Sequence, residues 1–251
     1  MATPPTRQQY VAPASGNYSG TATSFTTTAF TSLSIGDLIV VLSSIENAGS
    51  LVTVTPSASG GSVTWTSRVA QTAGGINQSA AYCWTGAVGA NASSVTISLN
   101  RPSSDVNLWW GMSGTQWINH GGVGTTFGNN NGTSSTAPSI AGAANCSANS
   151  ALQIGINDWS AADGTTRTWR TINSAAESES LYFRNATHHT VYGGYVLDTG
   201  AAGAQTQGLT LPSTMRWVGA GVEILGTTGG AAARLATATP NRARLIRASH
   251  Y

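Results

Sequence analysis

Ser94-Val-Thr-Ile-Ser-Leu99 alternates apolar and small polar residues along its whole length, so Val95, Ile97 and Leu99 share one face and Ser94, Thr96 and Ser98 the other. A period of two belongs to a β-strand with one buried and one wet face. Upstream, Val63-Thr-Trp65-Thr-Ser-Arg-Val69 repeats the pattern with one slip. Asp37-Leu-Ile-Val-Val-Leu42 is apolar on both sides and predicts a central strand covered twice. Further strands are expected over 19–30, 51–55, 80–85, 106–118, 151–159, 168–172, 181–184, 190–197, 208–211 and 216–225. Turn signals such as Gly60-Gly61 and Gly74-Gly75-Ile-Asn77 separate several of them. No segment keeps a helical period over three turns. The expected fold class is all-β, an antiparallel two-sheet jelly-roll-like sandwich with extended N- and C-terminal arms.

The domain boundaries follow from composition. Residues 1–16 read as an extended lead, 17–225 as one sandwich domain, and 226–251 as a basic arm. Within the domain, 119–150 is the longest stretch without a strand pattern. It reads as a surface excursion or as a hinge between half-sandwiches, and no internal repeat is evident.

At 251 residues the chain is long enough for a full core. Charged residues make up only 8%, against about 25% in an ordinary soluble domain. All eleven basic residues are Arg, which suggests a GC-rich genome. So little charge reads either as a surface satisfied by neighbouring copies and partners, hence a homo-oligomer, or as a bias of composition. No stretch approaches about 18 consecutive apolar residues, so membrane insertion is not expected. The opening Met1-Ala-Thr-Pro-Pro-Thr-Arg7 lacks a secretory pattern, and synthesis in the cytoplasm is expected.

The last segment is charged differently from the rest. From Gly226 to Tyr251 there are four arginines and no acid, whereas 1–225 holds seven arginines and all nine acids, a formal charge of −2. A segment so poor in large apolar residues cannot build its own core. Arg234, Leu235, Arg242, Arg244, Leu245, Ile246 and Arg247 are the candidate partner-binding residues, the arginines pairing with carboxylates and the aliphatic side chains filling shallow pockets.

Chemistry is sparse. Gly111-Met-Ser113-Gly114-Thr115 fails as a nucleophile elbow for want of the last glycine. Gly122-Val-Gly124-Thr-Thr-Phe127 lacks the third glycine of a dinucleotide fingerprint. Adjacent His188 and His189 point to opposite faces of a strand. Glu177 and Glu179 lie in what reads as a solvated turn, and Cys83 and Cys146 as buried thiols, a bridge between them being the alternative. No catalytic residue, metal or cofactor is expected. Trp65, Trp84, Trp159, Trp169 and Trp217 are expected between sheets. Of the adjacent Trp109 and Trp110 one should face outward on a regular strand, where it could stack on a sugar, unless the strand is covered on both sides. Nucleic acid is not an expected partner, because the body is slightly acidic and four arginines release few counterions.

The succession Gly36-Asp-Leu-Ile-Val-Val41, Val63-Thr-Trp-Thr-Ser-Arg-Val69, Ala81-Tyr-Cys-Trp-Thr-Gly-Ala-Val-Gly-Ala90 and Ser94-Val-Thr-Ile-Ser-Leu99 resembles a β-sandwich module of tail-associated and other virion surface proteins of phages infecting actinobacteria. Ala151-Leu-Gln-Ile-Gly-Ile-Asn-Asp-Trp159 and Met215-Arg-Trp-Val-Gly-Ala-Gly-Val-Glu-Ile224 resemble its closing strands. The resemblance spans about 20–225 and implies a non-enzymatic virion component, commonly a minor tail protein, located in the virion. The expectation is then a structural subunit that packs against other virion proteins and copies of itself and latches through its basic arm. Alternatives are a capsid decoration protein and a module that recognises a host-surface glycan.

Overall fold

The computed structural model describes residues 2–13, 17–20, 24–47, 54–73, 78–100 and 108–228. Among them every regular element is a strand. The N-terminal half carries β1 (Ala2–Thr3), β2 (Thr6–Val11), β3 (Asn17–Gly20), β4 (Ser24–Thr26), β5 (Leu38–Asn47), β6 (Thr55–Ser59), β7 (Val63–Ala73), β8 (Gln78–Val88), β9 (Thr96–Asn100) and β10 (Leu108–Ile118). The C-terminal half carries β11 (His120–Thr136), β12 (Ser139–Cys146), β13 (Ala151–Asp158), β14 (Thr168–Trp169), β15 (Thr171–Ile172), β16 (Ala175–Ala176), β17 (Ser178–Asn185), β18 (His189–Val196), β19 (Gly203–Leu211) and β20 (Met215–Thr228).

The antiparallel sandwich expected from the alternating strands is present, and the chain builds it twice. In the first half β2 and β3 lie along one side of β10, and the sheet continues β10-β5-β8-β7. It faces a smaller sheet, β4-β9-β6. In the second half β11 lies beside β20, the sheet continues β20-β13-β18-β17, and β12-β19-β14 faces it. Apart from β1, which also lies beside β20, and the short β3, the two orders are the same strand for strand.

Residues match as well as strands. The tight turn before β5 places Gly36 at φ 90°, and the turn before β13 places Asn149 at φ 55°. Both are positions where a left-handed backbone favours Gly or Asn. Gly114 of β10 pairs with Val11, and a side chain there would press on Val11 and Phe30. Gly221 of β20 pairs with Phe127, and a side chain there would collide with Phe127 and Ile154. Two residues on from each glycine, a buried polar group holds the entry to the central strand. Gln116 Nε2 donates to Asp37 Oδ2, which also accepts from Ser34 N at 2.7 Å. Glu223 Oε1 accepts from Ser147 N at 2.6 Å.

The reading of 119–150 as structureless is corrected: it forms β11 and β12, the first two strands of the second sandwich. β11 breaks register with β20 between His120 and Val123, between Val123 and Thr126, and between Asn131 and Thr136. Such irregularities destroy the period of two on which a strand is read. Within the expected N-terminal lead, residues 2–3 and 6–11 are extended but not free. Ala2 and Thr3 pair with Thr228 and Thr227, and β2 pairs with β10. At the other end, Gly226–Thr228 continue β20, so the last strand reaches into the stretch assigned to the arm.

The two large sheets pack face to face. Three cores result, one inside each sandwich and one between them. The first holds Phe30, Ile39, Val41, Ile97, Leu99 and Trp110, the middle one Val40, Leu42, Trp117, Val218 and Val222, and the third Ile140, Leu152, Ile154, Tyr192 and Trp217. β5 and β13 therefore bury both faces, as the doubly apolar run Leu38–Leu42 predicts. Part of the contact across the middle follows a two-fold relation: β5 meets β13, β8 meets β20 while β18 meets β10, and β8 meets β13 while β18 meets β5, whereas β7 packs on β11 and β20 at one margin only.

Candidate functional site

The expected partner-binding residues Arg234, Leu235, Arg242, Arg244, Leu245, Ile246 and Arg247 lie outside the described residues. Trp109 has its backbone in β10, paired with Ser19 and Glu46. As a glycan platform Trp110 is corrected: it has 0% exposure and packs on Phe25, with ring centres 6.0 Å apart. The reason is that β10 runs through the middle of a sheet covered on both faces. Trp110 and Met112 enter the first core, and Gly111 on the other face lies against Val191 of the second sandwich.

The remaining sequence candidates fall in the interior or at its margins. Ser113 is buried in β10. His189 is buried, and burial pulls its pKa down to about 3. Cys83 and Cys146 are free thiols in different cores, the first pushed up to about 12 by burial and the second to about 12 by burial and the Glu223 charge. The solvated-turn reading of Glu177 is corrected: it is buried, accepts from Gly208 N at 2.8 Å and Gln207 Nε2 at 3.1 Å, and is raised to about 8 by desolvation. Its neighbour Glu179 forms an ion pair with Arg167, so the two acids have different surroundings. Trp159 and Trp217 are buried and Trp65, Trp84 and Trp169 are half-buried against the cores, as the alternating strands predict. Among the described residues no group of three or more His, Cys, Asp or Glu is placed to hold a metal ion.

What the topology brings together, and the sequence does not, is a groove of about 660 Å³ at the margin between the two sandwiches. β2 forms one wall and the end of β18 the other, with Pro5, Arg7, Tyr10, Tyr195, Leu197 and Asp198 on its surface. The Arg7 guanidinium sits 4.1 Å from the ring centre of Tyr195 and 5.3 Å from that of Tyr10. Each ring presents its negative face to the cation. Burial pushes the Tyr10 hydroxyl up to about 12, against the lowering influence of Arg7 and with Glu179 adding to the rise. No motif signals this groove, because Arg7 and Tyr195 come from opposite ends of the described chain.

Comparison with known proteins finds no matching family model, no matching curated protein and no matching solved structure.

Proposed function

We propose that the protein is a non-enzymatic structural component of a phage virion, of the minor tail protein kind, which packs beside other virion subunits and copies of itself. The observation that carries this reading is the outer face of the sheet β4-β9-β6. Its outward residues, Ser24, Thr26, Thr55, Ser57, Thr96 and Ser98, are small and uncharged. Cross-strand bonds tie this face together, Thr26 Oγ1 to Ser98 Oγ at 2.6 Å and Asn100 Nδ2 to Ser57 Oγ at 2.8 Å. Covering such a face with a neighbour desolvates no charge, which is the expensive part of most polar interfaces. The resemblance of the central strands to virion sandwich modules and the basic stretch after β20 support the same reading.

Residues 229–251 act as the latch, gripping a neighbouring subunit through apolar anchors and Arg–carboxylate pairs. The test is incorporation. The full chain should co-sediment with phage particles, and a chain ending at residue 230 should fold yet fail to join them. Normal incorporation of the truncated chain overturns the latch, and absence of the full chain from particles overturns the virion reading.

A further inference from the structure

We infer that the groove between β2 and β18 is a binding site for an acidic saccharide, with Arg7 receiving the sugar's carboxylate. The inference goes beyond the structural role proposed above and does not depend on it.

The two-fold relation between the sandwiches supplies the first argument. β2 corresponds to β11, and the pairing of each with its central partner aligns Arg7 with Val123 and Tyr10 with Thr126. In the same way Tyr195 of β18 aligns with Thr85 of β8, through their partners Gln153 and Val40. At the β11 margin the cleft is closed. Val123 packs into the middle core, Gly128 lies against Val69 and Gln71, and Asn130 Nδ2 donates to Thr72 O at 3.2 Å. The arginine on that side, Arg68, is engaged by Thr85 Oγ1 at 2.7 Å. The corresponding margin at β2 stays open, with an arginine and two tyrosines where the closed one has a valine and two threonines.

The second argument is the state of Arg7. Among the described residues its side chain forms no ion pair and no hydrogen bond. Its two ring contacts hold it in place while leaving the edge of the guanidinium fork unused. A planar fork held in this way is pre-organised for bidentate contact with a carboxylate.

The rest of the groove selects the body that carries the carboxylate. Pro5 and Leu197 offer apolar wall, while Asp198, whose Oδ1 accepts from Gly200 N at 2.8 Å, adds a hydrogen-bond acceptor to the lining. A ligand with an acid at one end and hydroxyls at the other fits this polarity. The volume suits one or two sugar rings. An added peptide strand fits less well, because the margin of β2 is already flanked by 28–32. Thr28 N donates to Ala12 O at 2.9 Å, and Gln9 bonds Thr31 N at 2.9 Å and Ser32 O at 2.8 Å.

The experiment is calorimetric titration of the full chain with digalacturonate, with neutral galactobiose and the tripeptide Gly-Glu-Gly as comparators. Digalacturonate and the glucuronate disaccharide cellobiouronate are the two acidic probes. Saturable binding of at least one, roughly tenfold or more weakened in Arg7→Gln and partly restored in Arg7→Lys, is the expected result. Tyr195→Ala, which removes the plate beneath Arg7, is the second variant and should weaken binding to a similar degree. Circular dichroism establishes that each variant is folded. Failure of both acidic disaccharides to bind, equal binding of galactobiose, tighter binding of the peptide, or affinity unchanged in folded Arg7→Gln or folded Tyr195→Ala would each overturn the assignment.

Discussion

The indole Nε1 of Trp117 donates to Gln153 Oε1 at 2.9 Å, a bond that joins the first sandwich to the second. Gln153 Nε2 in turn donates to Thr115 Oγ1 at 2.8 Å. All three side chains are buried, so no water replaces a lost partner at low cost. Gln153→Ala strands an indole N–H and a hydroxyl together. It is expected to destabilise the chain by about 2–4 kcal/mol, read as a lower urea midpoint, and an unchanged midpoint would show that the bond carries no weight.

Trp110 is a core residue, and its replacement should be felt as lost stability. Trp110→Ala removes a fully buried ring from contact with Phe25. The expected cost is about 3–5 kcal/mol, the usual range for deleting a buried aromatic side chain. A denaturant titration checks this, and a variant as stable as the parent would return Trp110 to the surface.

Stability should fall as the solution becomes alkaline. Burial pushes the Glu46 carboxyl from 4.5 up to about 8, with the Asp158 charge adding to the rise and Arg216 opposing it. Among the described residues its Oε2 has no hydrogen-bond partner. The folded chain therefore binds this proton more tightly than the unfolded chain, so the stabilisation is complete below pH 4.5 and is lost as the pH rises through about 8. Glu177 acts in the same direction, whereas the depressed His189 removes stability only as the pH falls below 6.5. Between about pH 7 and 9 the parent should lose on the order of 2 kcal/mol, and Glu46→Gln should lose roughly half as much. Parallel pH profiles for the two proteins would contradict the assignment.

The two thiols should be silent in the folded state. Cys83 and Cys146 are buried, and both are pushed up to about 12, so almost no thiolate exists at neutral pH. Ellman's reagent should label neither without denaturant and both in guanidinium chloride. Labelling of one thiol in the native protein would mean that its core opens.

Much of the class of fold was legible because period two survives wherever a strand has one wet face. Val95, Ile97 and Leu99 point inward as their spacing predicts, and the doubly apolar Leu38–Leu42 run is covered on both sides. The duplication was not legible. Equivalent positions keep a physical role and not a residue type: Gly36 and Asn149 share a left-handed backbone, and Gln116 and Glu223 share the task of holding a turn. β11 escaped notice for a related reason, since its register breaks erase the alternation that marks a strand.

Sequence alone determined that the chain is built of antiparallel strands, that its central strands are apolar, and that it ends in a stretch charged unlike the rest. These are properties of neighbours along the chain, which local pattern records directly. Only the tertiary structure decided that two like sandwiches stack with one margin closed and the other open, and that Trp110 is interior. It also decided that Arg7 meets Tyr195. Such relations depend on which sheet faces which, and segments far apart in sequence carry no shared period that would reveal their meeting.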